Sequence, residues 1–476
     1  MLSHAFEEES LAVAPVSPPP HRAVSPAAVA LAASPNTGLS PLWIALLLLT
    51  VLTVSRVHSY YGAVGRMRPA LLLFAFAVAY VFIRPRVLNA RNLLRPWPGK
   101  VVIALGVFSC FSAVFGISLG SSATFIIDSY SKTIIYACLM MLAFRGWQDV
   151  RRLVWAYVVG AAILVWLSLF VFGISKTSRG LSYDANDAGL VLLVALPLTL
   201  LVFQTSRRMG KLLSAPVLFG IVVTIAKTSS RGAFLGLLLV GAAMLVTLHG
   251  VSIVRRVIIL GLVAGVVAVG APSGYWDLMG TLKNPKADYN WDSKNGRREI
   301  AKRGIGYMLA YPLFGIGIRN FARAEGMISD KAQNTPTGEG IRWVTAHNSY
   351  VQVGAEMGIP GLLLWSSLVF GGIAGCYRIR RRIPGWWRRG AADERFLFQA
   401  AVYLPIALLG FAVPAFFVSF AYMDPIYVLA ALVSGLYLAV GRRLRVSPTQ
   451  AAAAARGHQS APRSVVAPVL RRLPRT

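Results

Sequence analysis

The run "AGLVLLVALPLTLLVFQ", residues 188–204, holds no charged residue. At a rise of about 1.5 Å per residue, a helix of this length nearly crosses a hydrocarbon core of about 30 Å. Polar, ionisable segments bound it on both sides. Arg207, Arg208 and Lys211 follow it, and "KTSRGLSYDAND", residues 176–187, precedes it. Similar runs recur at residues 41–55, 69–83, 101–119, 130–144, 153–174, 212–226, 233–248, 257–272, 360–376, 398–421 and 425–441. The expectation is an all-α polytopic membrane protein of about twelve transmembrane helices.

Composition agrees with this reading. The chain has 476 residues, of which 56% are hydrophobic and 14% charged, with a mean hydropathy of +0.61. That is too apolar for a soluble domain of this size. The net charge of +30 comes from Lys and Arg clustered between apolar runs. Positive-inside topology and contact with anionic lipids account for it, so no nucleic-acid partner is called for. Cys110, Cys138 and Cys376 lie in or at the ends of apolar runs without CxxC spacing, and are expected to be buried free thiols. Residues 1–40, with "PVSPPPHRAVSP", lack the pattern of a signal peptide and read as a disordered cytoplasmic tail. Residues 442–476 read as a second, basic disordered tail.

Loop charge orients the spans. With the N-terminus inside, the cytoplasmic loops carry clusters such as Arg145, Arg151 and Arg152, and Arg378, Arg380, Arg381 and Arg382. Residues 41–272 then hold nine spans, residues 273–359 form a large extracytoplasmic loop, and residues 360–441 hold the last three spans. A loop this long without a task is uncommon, and short helices of its own are expected in it. Lys176, Arg179, Lys227 and Arg231 fall in short outer loops, against the charge rule. Arg56, Arg66 and Arg68 also fall outside, and the sequence alone accounts for them only as contacts to lipid headgroups or as a sign that the first span is misplaced.

Three outer segments could carry chemistry. In "AKTSSRGAFLGLLLV", residues 226–240, Ser229 or Ser230 can cap a helix with Arg231 in its first turn. There the helix dipole disfavours a cation by about 0.3–1 kcal/mol. A bound anion reverses that sign, and Arg231 with free helix N–H groups makes a phosphate seat; an Arg snorkelling to headgroups is the alternative. Upstream, Asp187 or Asn186 can cap the next helix and Arg179 can pair with Asp184; an Asp-x-x-Asp alone does not argue for a metal. In the large loop, "NGRREIAKRGIGYMLAYPLFGIGIRNF", residues 295–321, reads as an amphipathic helix of about four turns ending before Pro312, with Arg297 and Arg298 at its N-terminal end. They serve either an anion or a solvated basic face. Finally, "HNSYVQVGAEMGIPG", residues 347–361, is expected to lie in a helix from about Trp343 to Met357. Gly358 ends that helix and Pro360 opens the next span. His347 would share a face with Tyr350, Val351 and Gly354, either as a hydrogen-bonded anchor or as a base for a hydroxyl at neutral pH.

These residues resemble a known family. "RGAFL", residues 231–235, matches an Arg-x-x-x-Leu motif, and "HNSYVQVGAEMGIPG" matches a His-[Asn/Ser/Gln]-x9-Gly-x-x-[Gly/Thr/Tyr] motif. Both motifs are those of the O-antigen ligase and Wzy-type polymerase superfamily, over roughly residues 170–420. The resemblance implies a membrane glycosyltransferase. It would move a glycan from an undecaprenyl diphosphate carrier to an acceptor hydroxyl on a glycan, lipid or protein, at the extracytoplasmic face of a bacterial inner membrane. Inversion is implied, without metal or other cofactor. His347 would be the general base or the residue that orients the acceptor, with Arg231, Arg297 and Arg179 on the diphosphate. Leu235, Asn348, Gly358 and Gly361 would be structural motif positions. Ligase, chain polymerase and protein O-oligosaccharyltransferase remain open, since they differ in the acceptor. The N-terminal tail and the Arg-rich segment 377–395 depart from the family pattern. A transporter is the competing class; against it, the notable charges lie at span ends and no repeat is visible. A non-catalytic membrane scaffold is a further reading.

Overall fold

A computed structural model of the chain describes residues 38–173, 183–247, 252–283, 296–329 and 344–459, with side chains to residue 445. The expected N-terminal tail, Arg179 with Lys176, and parts of the large loop lie outside the described residues. Among the described residues every regular element is helical. The chain is an all-α polytopic membrane protein. One compact unit comprises Gly38–Leu444.

Thirteen helices organise this unit and its continuation. They are α1 (Pro41–Ser55), α2 (Pro69–Ile83), α3 (Trp97–Phe115), α4 (Ser131–Ala143), α5 (Trp147–Trp166), α6 (Ala185–Thr205) and α7 (Arg208–Lys227). Then follow α8 (Arg231–Thr247), α9 (Ile253–Gly270), α10 (Arg297–Ala310), α11 (Ser349–Ser366), α12 (Ala392–Ala412) and α13 (Asp424–Gln459). Ten of the described helical stretches are long and apolar enough to cross a membrane, while α1 and α8 are shorter apolar helices. Each apolar run of the sequence coincides with one of these.

Burial separates central helices from lipid-facing ones. The apolar stretches of α6 and α12 are 78% buried within the protein, whereas those of α2 and α9 are 6% buried. Since lipid is as apolar as a protein core, hydropathy alone cannot tell these two situations apart, and close packing decides instead. At Gly189 of α6 an added Cβ would lie 2.6 Å from the Cβ of Ala233 in α8, so the two helices approach there almost backbone to backbone.

Two expectations need correction. Cys110 is exposed and Cys138 only half-buried; Cys376 alone of the three is buried, although all three are free. Apolar exposure is tolerated on a lipid-facing helix, so an apolar run does not imply burial inside the protein. The last helix also continues to Gln459, beyond residue 442 where a disordered tail was expected. The run "AAAAA" at residues 451–455 explains this, because alanine has the highest helix propensity.

Candidate functional site

The α7–α8 turn sets the position of Arg231. Ser230 is the cap: its Oγ accepts from Ala233 N at 3.2 Å and donates to Asn186 Oδ1 at 2.7 Å. Arg231 is therefore the first helical residue, and its guanidinium donates to Thr281 Oγ1 at 2.9 Å, reaching the start of the large loop. On the facing helix, Asp184 caps α6 in a reciprocal box with Asp187; Asp187 N donates to Asp184 Oδ1 at 2.7 Å. Asp184, rather than Asn186 or Asp187, is thus the cap, and the two acids have a local structural role.

His347 lies elsewhere than expected. The helix begins at Ser349, with Asn348 as its cap accepting from Tyr350 N and Val351 N at 3.0 and 3.1 Å. His347 therefore precedes the helix and shares no helical face with Tyr350 or Val351. The Asn348 side chain competes for the first N–H groups and stops the helix from extending back to Trp343. His347 has φ +47°, an uncommon left-handed conformation for a residue with a Cβ. It is held there by the hydroxyl of Ser419, which accepts from His347 N at 2.8 Å. Ser349 tightens the same junction: its Oγ donates to Val418 O at 2.7 Å and accepts from Phe420 N at 2.9 Å. The imidazole Nε2 lies 3.4 Å from Thr345 Oγ1.

The Gly358 break performs a specific task. Gly358 has φ +67° and ψ −171°, which interrupts the α11 ladder. The segment after α10 crosses the gap, with Ile316 N and Gly317 N donating to Ala355 O and Glu356 O at 2.9 and 3.1 Å. Ile359 N donates to Pro312 O at 2.8 Å. Backbone groups freed by the break are thereby satisfied, as burial requires. The loop helix α10 docks on α11 through Ile300, Gly304 and Tyr307; a Cβ at Gly304 would lie 2.3 Å from Val351 Cγ1. An ion pair fixes its other face: Arg303 grips Glu325 through Nε and Nη2, the latter at 2.6 Å, and Tyr307 Oη donates to the same carboxylate at 2.9 Å.

Docking brings Arg297, the first residue of α10, within electrostatic reach of His347. Burial is the main cause lowering the His347 pKa below the usual imidazole value, the Arg297 charge lowers it further, and Asp184 opposes both. The imidazole is thus neutral at neutral pH. Arg231 belongs to the same end: Gly232 packs against the ring of Phe417, two residues before Ser419. Arg179 lies outside the described residues. Leu235 is half-buried in α8, and Gly361 is buried against Met357.

Sequence reading missed Arg56, whose guanidinium lies 4.2 Å from the ring centroid of Tyr183, the residue before Asp184. Its placement in an outer loop against the charge rule was the available signal. Ser419, Thr281 and Glu325 carried none, because their roles depend on contacts between distant segments. Among the described residues no group of three His, Cys, Asp or Glu side chains could hold a metal ion.

Fold and site together define a polytopic membrane protein with a neutral imidazole and several guanidinium groups gathered at one end of its helix bundle. Residues 216–366 match the family model described as O-antigen ligase, and the match spans both motifs read in the sequence. The superfamily recognised from those motifs is therefore the one that the match supports. No curated protein matches the chain.

Proposed function

We propose that the protein transfers a glycan from an undecaprenyl-diphosphate carrier to an acceptor hydroxyl, as an O-antigen ligase, at the extracytoplasmic face of a bacterial inner membrane. The observation that carries this reading is the O-antigen ligase match across a segment holding both Arg231 and His347, with Arg297 acting electrostatically on that imidazole. The acceptor oxygen attacks the anomeric carbon while its proton passes to the neutral His347 ring. The bond from that carbon to the diphosphate oxygen breaks, and its electron pair departs with the diphosphate. Attack from the face opposite the leaving group inverts the anomeric centre. Arg231 and Arg297, with Arg179, neutralise the departing charge and take the part a metal ion plays in other phosphate sites.

The gathering of ionisable groups at one end of the bundle supports an enzyme over a transporter, whose charges tend to lie near mid-membrane. Chain polymerase and protein O-oligosaccharyltransferase remain as second readings, because the acceptor is not encoded in these residues. In membranes supplied with lipid-linked donor, His347→Ala and Arg231→Ala each abolish transfer at unchanged expression, and EDTA has no effect. Activity retained in both variants ends the enzymatic reading, and loss with EDTA ends the metal-free one. Glycan analysis of a deletion strain identifies the acceptor.

A further inference from the structure

At the same end of the bundle, on the far side of Arg56 and Tyr183, lies a cavity of about 440 Å³. It shares a wall with the site above: Thr53 lines it, and Thr53 O accepts from Tyr183 Oη at 2.6 Å. Two cations stand on it. Arg68 is exposed, has φ +47°, and immediately precedes Pro69 at the start of α2, the end of a helix where a cation is disfavoured. Lys132 donates to Asp128 O at 2.5 Å. Neither forms an ion pair with a described carboxylate. One acid, the half-buried Asp424, also lines the cavity, and its Oδ1 accepts from Thr133 Oγ1 at 2.9 Å. His58 contributes a buried Nδ1 with no hydrogen-bond partner among the described residues.

Ser129 and Tyr136 add polar groups to the lining, and Leu49, Ala70, Leu71 and Phe74 form its apolar part. Leu71 and Phe74 belong to α2, whose spanning stretch is 6% buried, so in a bilayer this helix is lipid-facing. A cationic rim above a lipid-facing apolar wall is complementary to one kind of molecule, an amphiphile with an anionic head. The size suits a headgroup with the start of its chain.

We propose that this cavity binds the phosphate-bearing headgroup of a membrane amphiphile, with Arg68 and Lys132 on the phosphate and the chain along Leu71 and Phe74. This gives Arg68 a task that the charge pattern left open, and it does not rest on the glycan-transfer reading. The test is native mass spectrometry of the full chain in maltoside micelles. Dioctanoyl phosphatidylglycerol is titrated against dioctanoylglycerol, which has no phosphate, and glycerol 1-phosphate, which has no chains. The phosphatidylglycerol is expected to bind at least about tenfold more tightly than either. The double variant Arg68→Gln/Lys132→Gln loses that preference; Arg68 is exposed and Lys132 half-buried, and an unchanged elution profile in detergent checks that the double variant is folded. Ala70→Trp, which fills the cavity and keeps both cations, loses binding too. Glycerol 1-phosphate binding as tightly as the phosphatidylglycerol, or phosphatidylglycerol binding unchanged in both variants, overturns the proposal.

Discussion

Replacing Gly358 by alanine tests whether the broken helix holds the loop over His347. A Cβ there would lie 2.5 Å from Pro312 O and 2.8 Å from Leu313 C and O. All three are backbone atoms, so no side chain can rotate away. The φ and ψ at this position belong to a region open essentially to glycine, and occupying it costs other residues about 1–3 kcal/mol. Escape requires separating Pro312 from α11, losing the Ile359 N–H bond and one of the neighbouring pair from Ile316 and Gly317. With about 1 kcal/mol for each of one or two lost bonds, the docked loop is weakened by about 2–5 kcal/mol. That corresponds to about thirty- to several-thousand-fold in the ratio of docked to undocked loop. The assay is limited trypsinolysis at the basic residues of α10, where cleavage tracks the population of the open form, run beside glycan transfer in the same membranes. Gly241→Ala is the control, since a Cβ there meets nothing within 4 Å. Gly358→Ala is expected to be cleaved faster in α10 by that factor and to lose transfer, whereas Gly241→Ala matches the parent. Parental cleavage and transfer in Gly358→Ala refute the reasoning.

The acid limb of the pH–rate profile reports His347. Its pKa is lowered by burial and by Arg297, and in the proposed transfer the neutral ring is the base, so activity is expected to be full at neutral pH and to fall only below the ordinary imidazole range. Arg297→Gln moves that limb to higher pH, and Asp184→Asn moves it lower; unmoved limbs in both variants remove His347 as the titrating group. Ser230→Ala removes the α8 cap and its bond to Asn186, at a cost of about 1–2 kcal/mol. Thermal unfolding in detergent should show the loss and Ser230→Thr should restore it; an unchanged midpoint in the alanine variant contradicts the capping assignment.

What was legible in the sequence follows from the range of the interactions involved. Each span could be read because an uncharged run is a local property, and the α10 helix because its period and Pro312 are local too. Gly358 was read as a break for the same reason. The placement of His347 was not legible, because its left-handed conformation depends on Ser419, seventy-two residues away in sequence, and because Asn348 outcompeted an otherwise helical stretch for the first turn. Arg56 was visible as an anomaly of charge, but its partner Tyr183 is brought beside it only by the packing of α1 near the start of α6. Likewise, nothing in the apolar runs distinguishes the buried α6 from the lipid-facing α2.

Two kinds of cost gather at the His347 end, and the phosphate ligand of the proposed function would relieve both. Among the described residues, five without glycine's freedom have positive φ: Arg56, Arg68, Ser229, Arg319 and His347. All lie at this end, and three are arginines. Left-handed backbone at such positions costs about 1–2 kcal/mol each. Arg231 and Arg297 stand at the first positions of their helices, and Arg68 just before its own, where the dipole opposes positive charge. A bundle selected for stability alone would place Asp, Glu or Ser at those helix starts, as it does at the start of α6 with Asp184. Anionic phosphate arriving at these helix ends converts each unfavourable cation into a hydrogen-bonding partner, and the strained turns keep the side chains aimed before it arrives. On the proposed transfer, preorganisation of this kind would lower the reorganisation needed as charge develops on a leaving diphosphate, and that reading accounts for the cost falling at this end and not at the other, where Arg443 is paired with Asp393 and Glu394.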